Sequence, residues 1–109
     1  MTEQVKIFQP SGSLDATKSQ AFRQEVTAFV DNGTKIVLID LKNVTFMDSS
    51  GLGALVLAFK TLRAANSKLV LCSINEQIRI LFELTGMDKV FEIFTDRHEF
   101  EKSLMTKIS

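Results

Sequence analysis

The sequence predicts one α/β domain built on a largely parallel sheet, and three observations carry that prediction. The chain has 109 residues, the length of one ordinary domain with one core. The runs Ile36-Val37-Leu38-Ile39 and Leu69-Val70-Leu71-Cys72 are aliphatic without alternation, as in strands covered on both faces of a parallel sheet. Between the runs lie stretches whose apolar residues recur at helical spacing, so strands and helices alternate through short connections.

In order along the chain, Val5 to Phe8 alternates weakly and meets Pro10-Ser11-Gly12, which suits a short peripheral strand and a turn. Thr17 to Val30 sets Phe22, Val26, Phe29 and Val30 on one helical stripe, and Asp31-Asn32-Gly33 supplies the glycine of a left-handed helix end. After the buried strand at Ile36 to Ile39, Ser50 to Ala65 carries Leu52, Leu55, Val56, Phe59 and Leu62 on one face, with Lys60 and Arg63 in its later turns. Asn66-Ser67 closes that helix ahead of the strand at Leu69 to Cys72. Glu76 to Leu84 reads as a helix using Ile78, Leu81 and Phe82, and Val90 to Phe94 as the last strand. Asp96 is placed to cap a terminal helix that carries Phe100 and Leu104. The sequence shows no repeat, linker or low-complexity segment, so residues 1–109 are read as a single domain.

Composition excludes several function classes. Thirteen basic residues balance thirteen acidic ones, which gives no general attraction to nucleic acid or an anionic membrane. The lone Cys72 cannot form an intrachain disulfide, no His/Cys spacing suits zinc, and no cofactor is implied. The start MTEQVKIFQP lacks the pattern of a signal peptide, and no run reaches the roughly 18–20 apolar residues that span a bilayer. The expectation is a soluble cytoplasmic protein.

Chemistry concentrates in TFMDSSGLGA, Thr45 to Ala54, where a strand ends and a helix begins and where open α/β sheets gather ligands. Asp48 or Ser49 suits the helix N-cap. One cap uses one side chain, however, and here two hydroxyls and two glycines follow the carboxylate. Glycine costs about 0.5–1 kcal/mol relative to alanine inside a helix, so Gly51 and Gly53 suggest close approach by another chain or a ligand. The stretch lacks the P-loop lysine and the third glycine of a dinucleotide fingerprint. A serine hydrolase would need a base, and the only histidine, His98, falls near the last helix; Cys72 reads as a small buried hydrophobe. A serine in a helix's first turn can instead carry a phosphate, whose charge meets the positive end of the dipole.

With "GSLD" at Gly12 to Asp15, "VLIDLKNVTFMDSSGLGAL" from Val37, "LVLCSIN" from Leu69 and "IRILFELTGMDKVFEIF" from Ile78, the sequence resembles the anti-sigma factor antagonists of the STAS domain family over nearly its whole length. The resemblance implies a mixed, mostly parallel sheet flanked by about four helices. It also implies a partner-switching protein without catalysis of its own. Unphosphorylated, such an antagonist binds an anti-sigma factor that is also a serine kinase and frees the sigma factor; phosphorylated, it lets go until a metal-dependent serine phosphatase restores it. Carried onto this chain, the acceptor is Ser50, with Ser49 the better-placed cap, and the partner-binding set is Asp15, Asp48, Ser49, Ser50, Gly51, Leu52 and Gly53. Asp15 equally suits an N-cap for the first helix.

Longer members carry an extra strand ahead of the one at Val5 to Phe8, where this chain has only Met1 to Gln4; an open edge there would invite homodimer pairing. Two other classes compete with the switched binding protein. One is a ligand or nucleotide sensor on the same fold, regulating another kinase or phosphatase. The other is an enzyme with Ser50 as nucleophile, which the absence of a nearby base in the sequence disfavours.

Overall fold

Every residue of Ile36–Asp40 is buried in this computed structural model, which describes residues 5–108. That strand sits inside a sheet whose helices pack on both faces. The chain runs β1 (Val5–Phe8), β2 (Gly12–Leu14), α1 (Ala16–Asp31), β3 (Ile36–Asp40), β4 (Val44–Met47), α2 (Ser49–Ala64), β5 (Lys68–Cys72), α3 (Glu76–Thr85), a 3₁₀ turn at Met87–Lys89, β6 (Glu92–Phe94) and α4 (Arg97–Ile108). The main sheet has the order β1-β3-β5-β6, and each of its pairings is parallel. The expected peripheral strand is thus an edge strand. Met1 to Gln4, the residues ahead of that strand on which the expected open edge turns, lie outside the described residues.

Alternation along the central strands divides the core between two layers. Val37, Ile39, Leu69 and Leu71 point to one side, where they pack with Phe22 and Val26 of α1, Leu55 and Leu62 of α2, and Ile78 and Phe82 of α3. Ile36, Leu38, Val70 and Cys72 point to the other and meet Phe100 and Leu104 of α4. The Cys72 thiol is buried, and burial pushes its pKa up, in keeping with a packed hydrophobe. Helix ends follow the expected chemistry: Gly33 holds φ +75° just past α1, and the Asp96 carboxylate accepts the Glu99 amide at 2.8 Å.

Two features differ from the sequence expectation. The last strand begins at Glu92 rather than Val90, because the Val90 and Phe91 amides both donate back to the Met87 carbonyl and are held by the preceding turn. A second sheet also stands apart from the first. There β2 pairs in parallel with β4, with Leu14 opposite Met47 and an irregularity after Gly12. Turns separate these strands from β1 and β3; in the second, the Leu41 amide reaches the Cys72 carbonyl and the Val44 amide the Leu41 carbonyl.

Asp40 sits where β3 ends. Its carboxylate accepts from the Lys42 amide, the Gln9 side chain and Arg97 at 3.0–3.1 Å, which ties the start of α4 to the carboxyl end of the sheet.

Candidate functional site

The pairing of β2 with β4 brings two helix starts side by side. Leu14 is followed by Asp15 and α1, its register partner Met47 by Asp48 and α2. Asp15 and Asp48 therefore flank one ridge, although 33 positions separate them in sequence. Both are N-caps. Asp15 Oδ1 accepts from the Thr17 amide at 3.0 Å and the Thr17 hydroxyl at 2.6 Å, and the hydroxyl bond is the chief reason its carboxyl lies below the ordinary range. Asp48 Oδ1 accepts from the Gly51 amide at 2.9 Å.

The cap of α2 is thus Asp48 and not Ser49, which corrects the expectation that Ser49 was the better-placed cap. With Asp48 at the cap, Ser49, Ser50 and Gly51 are the first three helical residues. Asp48 satisfies Gly51 through its side chain and Leu52 through its carbonyl, which leaves the Ser49 and Ser50 amides for solvent. Both serines are exposed. Substitution of Asp48 by alanine is expected to cost about 1 kcal/mol in urea denaturation, and substitution by asparagine close to nothing. Equal losses in the two variants would show that charge, rather than the cap, is what Asp48 supplies.

Helical spacing sends the two hydroxyls to different sides of α2. Ser50 heads the stripe of Ala54 and Ala58, and Ala58 lines the seam with Arg23, Val26 and Thr27 of α1. Ser49 heads the stripe of Gly53 and Val56, which lines a shallow, mostly apolar groove with Leu52, Leu57, Lys60, Thr85 and Met87.

The two glycines also differ. A Cβ on Gly51 would lie 2.0 Å from the Leu14 carbonyl oxygen, so this glycine lets the chain's own β2 backbone approach α2. The expectation that Gly51 admits a partner is corrected on that ground. Gly53 is exposed, and a Cβ there would meet nothing within 4 Å, which leaves open space at the floor of the groove. Leu52 is buried and contributes mainly to the core.

Gln77, in the first turn of α3, has no counterpart in the sequence reading. Its side chain accepts from the Met47 amide at 2.9 Å and donates to the Met47 carbonyl at 2.8 Å. His98 lines a separate cleft with Gln9, Asp40, Ser73 and Arg97, whose walls include neither Ser49 nor Ser50. No described helix is long and apolar enough to cross a membrane.

Two layers of this architecture, with a ridge of capped helix starts on a small parallel ladder, define the class. The chain belongs to the STAS domain family, whose family model matches residues 1–100. Within that family it is similar to the anti-sigma-B factor antagonist of Listeria monocytogenes, at 36% identity over 92 residues, which is 84% of this chain and 80% of the relative. Among solved structures, an anti-sigma factor antagonist from Mycobacterium paratuberculosis superposes with TM-score 0.83 at 24% identity, covering 96% of this chain and 89% of the other. The Bacillus cell fate determinant SpoIIAA in its phosphorylated form superposes with TM-score 0.71 at 19% identity, covering 94% of each chain.

Proposed function

We propose that the protein is an anti-sigma factor antagonist whose binding is switched by phosphorylation of Ser50. The observation that carries this reading is the ridge itself: an exposed serine in the first turn of α2, with the Asp48 cap beside it and Asp15 across the ladder. Unphosphorylated, the ridge and the neighbouring groove dock on an anti-sigma factor that is also a serine kinase, and the sigma factor is released. In the transfer, Ser50 Oγ forms a bond to the γ-phosphorus of ATP as the bond to the bridging oxygen of ADP breaks, and the hydroxyl proton passes to a base of the kinase. A metal-dependent serine phosphatase reverses the change by hydrolysis. The domain supplies no catalytic group and acts as a binding module.

A phosphate adds about −1.5 to −2 charge at pH 7. The free first-turn amides and the helix dipole favour it by about 0.3–1 kcal/mol, which lets the domain keep its fold. A docked partner instead meets a charge beside two carboxylates. Phosphopeptide mapping after incubation with ATP and the kinase recovered from the native cell is expected to place the phosphate on Ser50 and none on Ser49. Stoichiometric phosphate on Ser49 with Ser50 bare would reverse the assignment.

A further inference from the structure

We infer that Gln77 is a positioning residue that fixes the acceptor turn for phosphate transfer, an inference that rests on Ser50 being the acceptor. One edge of β4 pairs with β2, and no described strand pairs with the other. The start of α3 takes that strand's place. Asn75 Nδ2 donates to the Val44 carbonyl at 3.2 Å and the Thr45 carbonyl at 3.3 Å, and Gln77 then closes two hydrogen bonds on Met47, one in each direction.

The two residues, the N-cap of α3 and one in its first turn, are not equivalent. Asn75 also caps its own helix through the Ile78 amide at 2.9 Å, so α3 needs it. Gln77 instead directs both its amide oxygen and its amide nitrogen to Met47, 30 positions away. Only one orientation of the amide satisfies both Met47 groups, oxygen toward N–H and nitrogen toward C=O, so the pair fixes the plane of the Met47 backbone as a strand neighbour would.

Met47 is the last residue of β4, and Asp48 alone separates it from the first turn of α2. Leu14 holds its ladder side, Gln77 the opposite side, and the Asp48 carbonyl and carboxylate begin the helix directly afterwards. A tilt of the Met47 peptide would therefore carry Asp48 with it and move the Ser50 hydroxyl. Group transfer is steep in such displacement: about 1 Å of misplacement can cost about a hundredfold. During transfer the Oγ–P bond forms while the P–O bond to ADP breaks and the hydroxyl proton goes to the kinase base, and Gln77 acts by holding Oγ in line for that step.

The test compares Gln77→Met, which keeps the length of the side chain and deletes both bonds, with Gln77→Glu, which keeps the acceptor and loses the donor. Amide hydrogen exchange by NMR is read first. In Gln77→Met, the bonded amides of Met47, Asp48, Gly51 and Leu52 are expected to exchange about tenfold faster while β3 and β5 keep their protection. Next comes phosphate incorporation with ATP and the kinase captured from the native cell. For Gln77→Met, kcat is expected to fall about ten- to a hundredfold with KM nearly unchanged, and Gln77→Glu to lie between it and wild type. A merely structural contact would lower stability and leave kcat alone. Wild-type exchange at Met47, or loss of protection spread evenly through the sheet, would overturn the inference, as would wild-type kcat in both variants. If wild type itself took no phosphate from the captured kinase, the reading of Ser50 as acceptor would fall, and the positioning role with it.

Discussion

Alanine at Gly51 is expected to destabilise the domain by about 3 kcal/mol, the upper end of what overpacking costs. Alanine at Gly53, two residues on in the same helix, is expected to be neutral or to stabilise it by about 0.5–1 kcal/mol. The contrast follows from what each methyl group would meet. At Gly51 it would lie 2.0 Å from the Leu14 oxygen and 2.8 Å from the Leu14 carbonyl carbon, backbone atoms held by the β2–β4 ladder that no rotamer change can move aside. At Gly53 it would project into open space, and the backbone entropy saved in the unfolded chain remains as the net effect. Urea denaturation of the two variants, with the slope held in common, measures both through the midpoint. Similar midpoints would mean that α2 can shift away from β2 at little cost, and that the ridge is looser than its geometry implies.

Sequence could not separate these glycines. Each lies near the start of an apolar helix, and only the tertiary placement of Leu14, 37 positions upstream of Gly51, distinguishes them. The same limit applies at the cap, because aspartate and serine are equally good N-cap residues and the choice of Asp48 depends on where β4 ends. The helices and the central strands were legible because their signal is local: Phe22 and Val26 recur at helical spacing, and Ile36 to Ile39 is an unbroken run that only a doubly covered strand accommodates. The ladder of β2 and β4 was not legible to the same degree. Three residues pair with four across an intervening helix and strand, and Thr45 and Phe46 are exposed, so neither alternation nor a continuous apolar run marks them. Gln77 carried no signal, since a polar residue in the first turn of a helix is ordinary and its partner is a backbone group. What sequence supplied for the site was residue chemistry, and what it lacked was the ladder that sets Asp15 beside Asp48.

That juxtaposition sets the second large effect. On the proposed switch, Ser50→Asp is expected to weaken binding to the kinase about ten- to a hundredfold, about 1.4–2.8 kcal/mol, while Ser50→Ala and Ser50→Asn bind nearly as wild type. The new carboxylate would stand in the first turn of α2 with the Asp48 cap next to it and Asp15 on the neighbouring helix start, where Thr17 keeps the Asp15 carboxyl below the ordinary range. In the free domain these charges face water and repel weakly. Docking removes that water, lowers the local dielectric and makes the same repulsion expensive. Bulk alone would act differently, because asparagine has nearly the shape of aspartate and no charge. Isothermal titration of each variant into the kinase at fixed nucleotide reads the affinities, and repeating it at about 0.5 M salt tests the cause, since screening should recover part of the Ser50→Asp loss where the ridge remains near solvent. Tight binding by Ser50→Asp would sink the charge account, and an equal loss in Ser50→Asn would assign the effect to shape. Aspartate brings one charge where phosphate brings nearly two, so the phosphorylated protein is expected to lose more affinity than the variant under the same conditions.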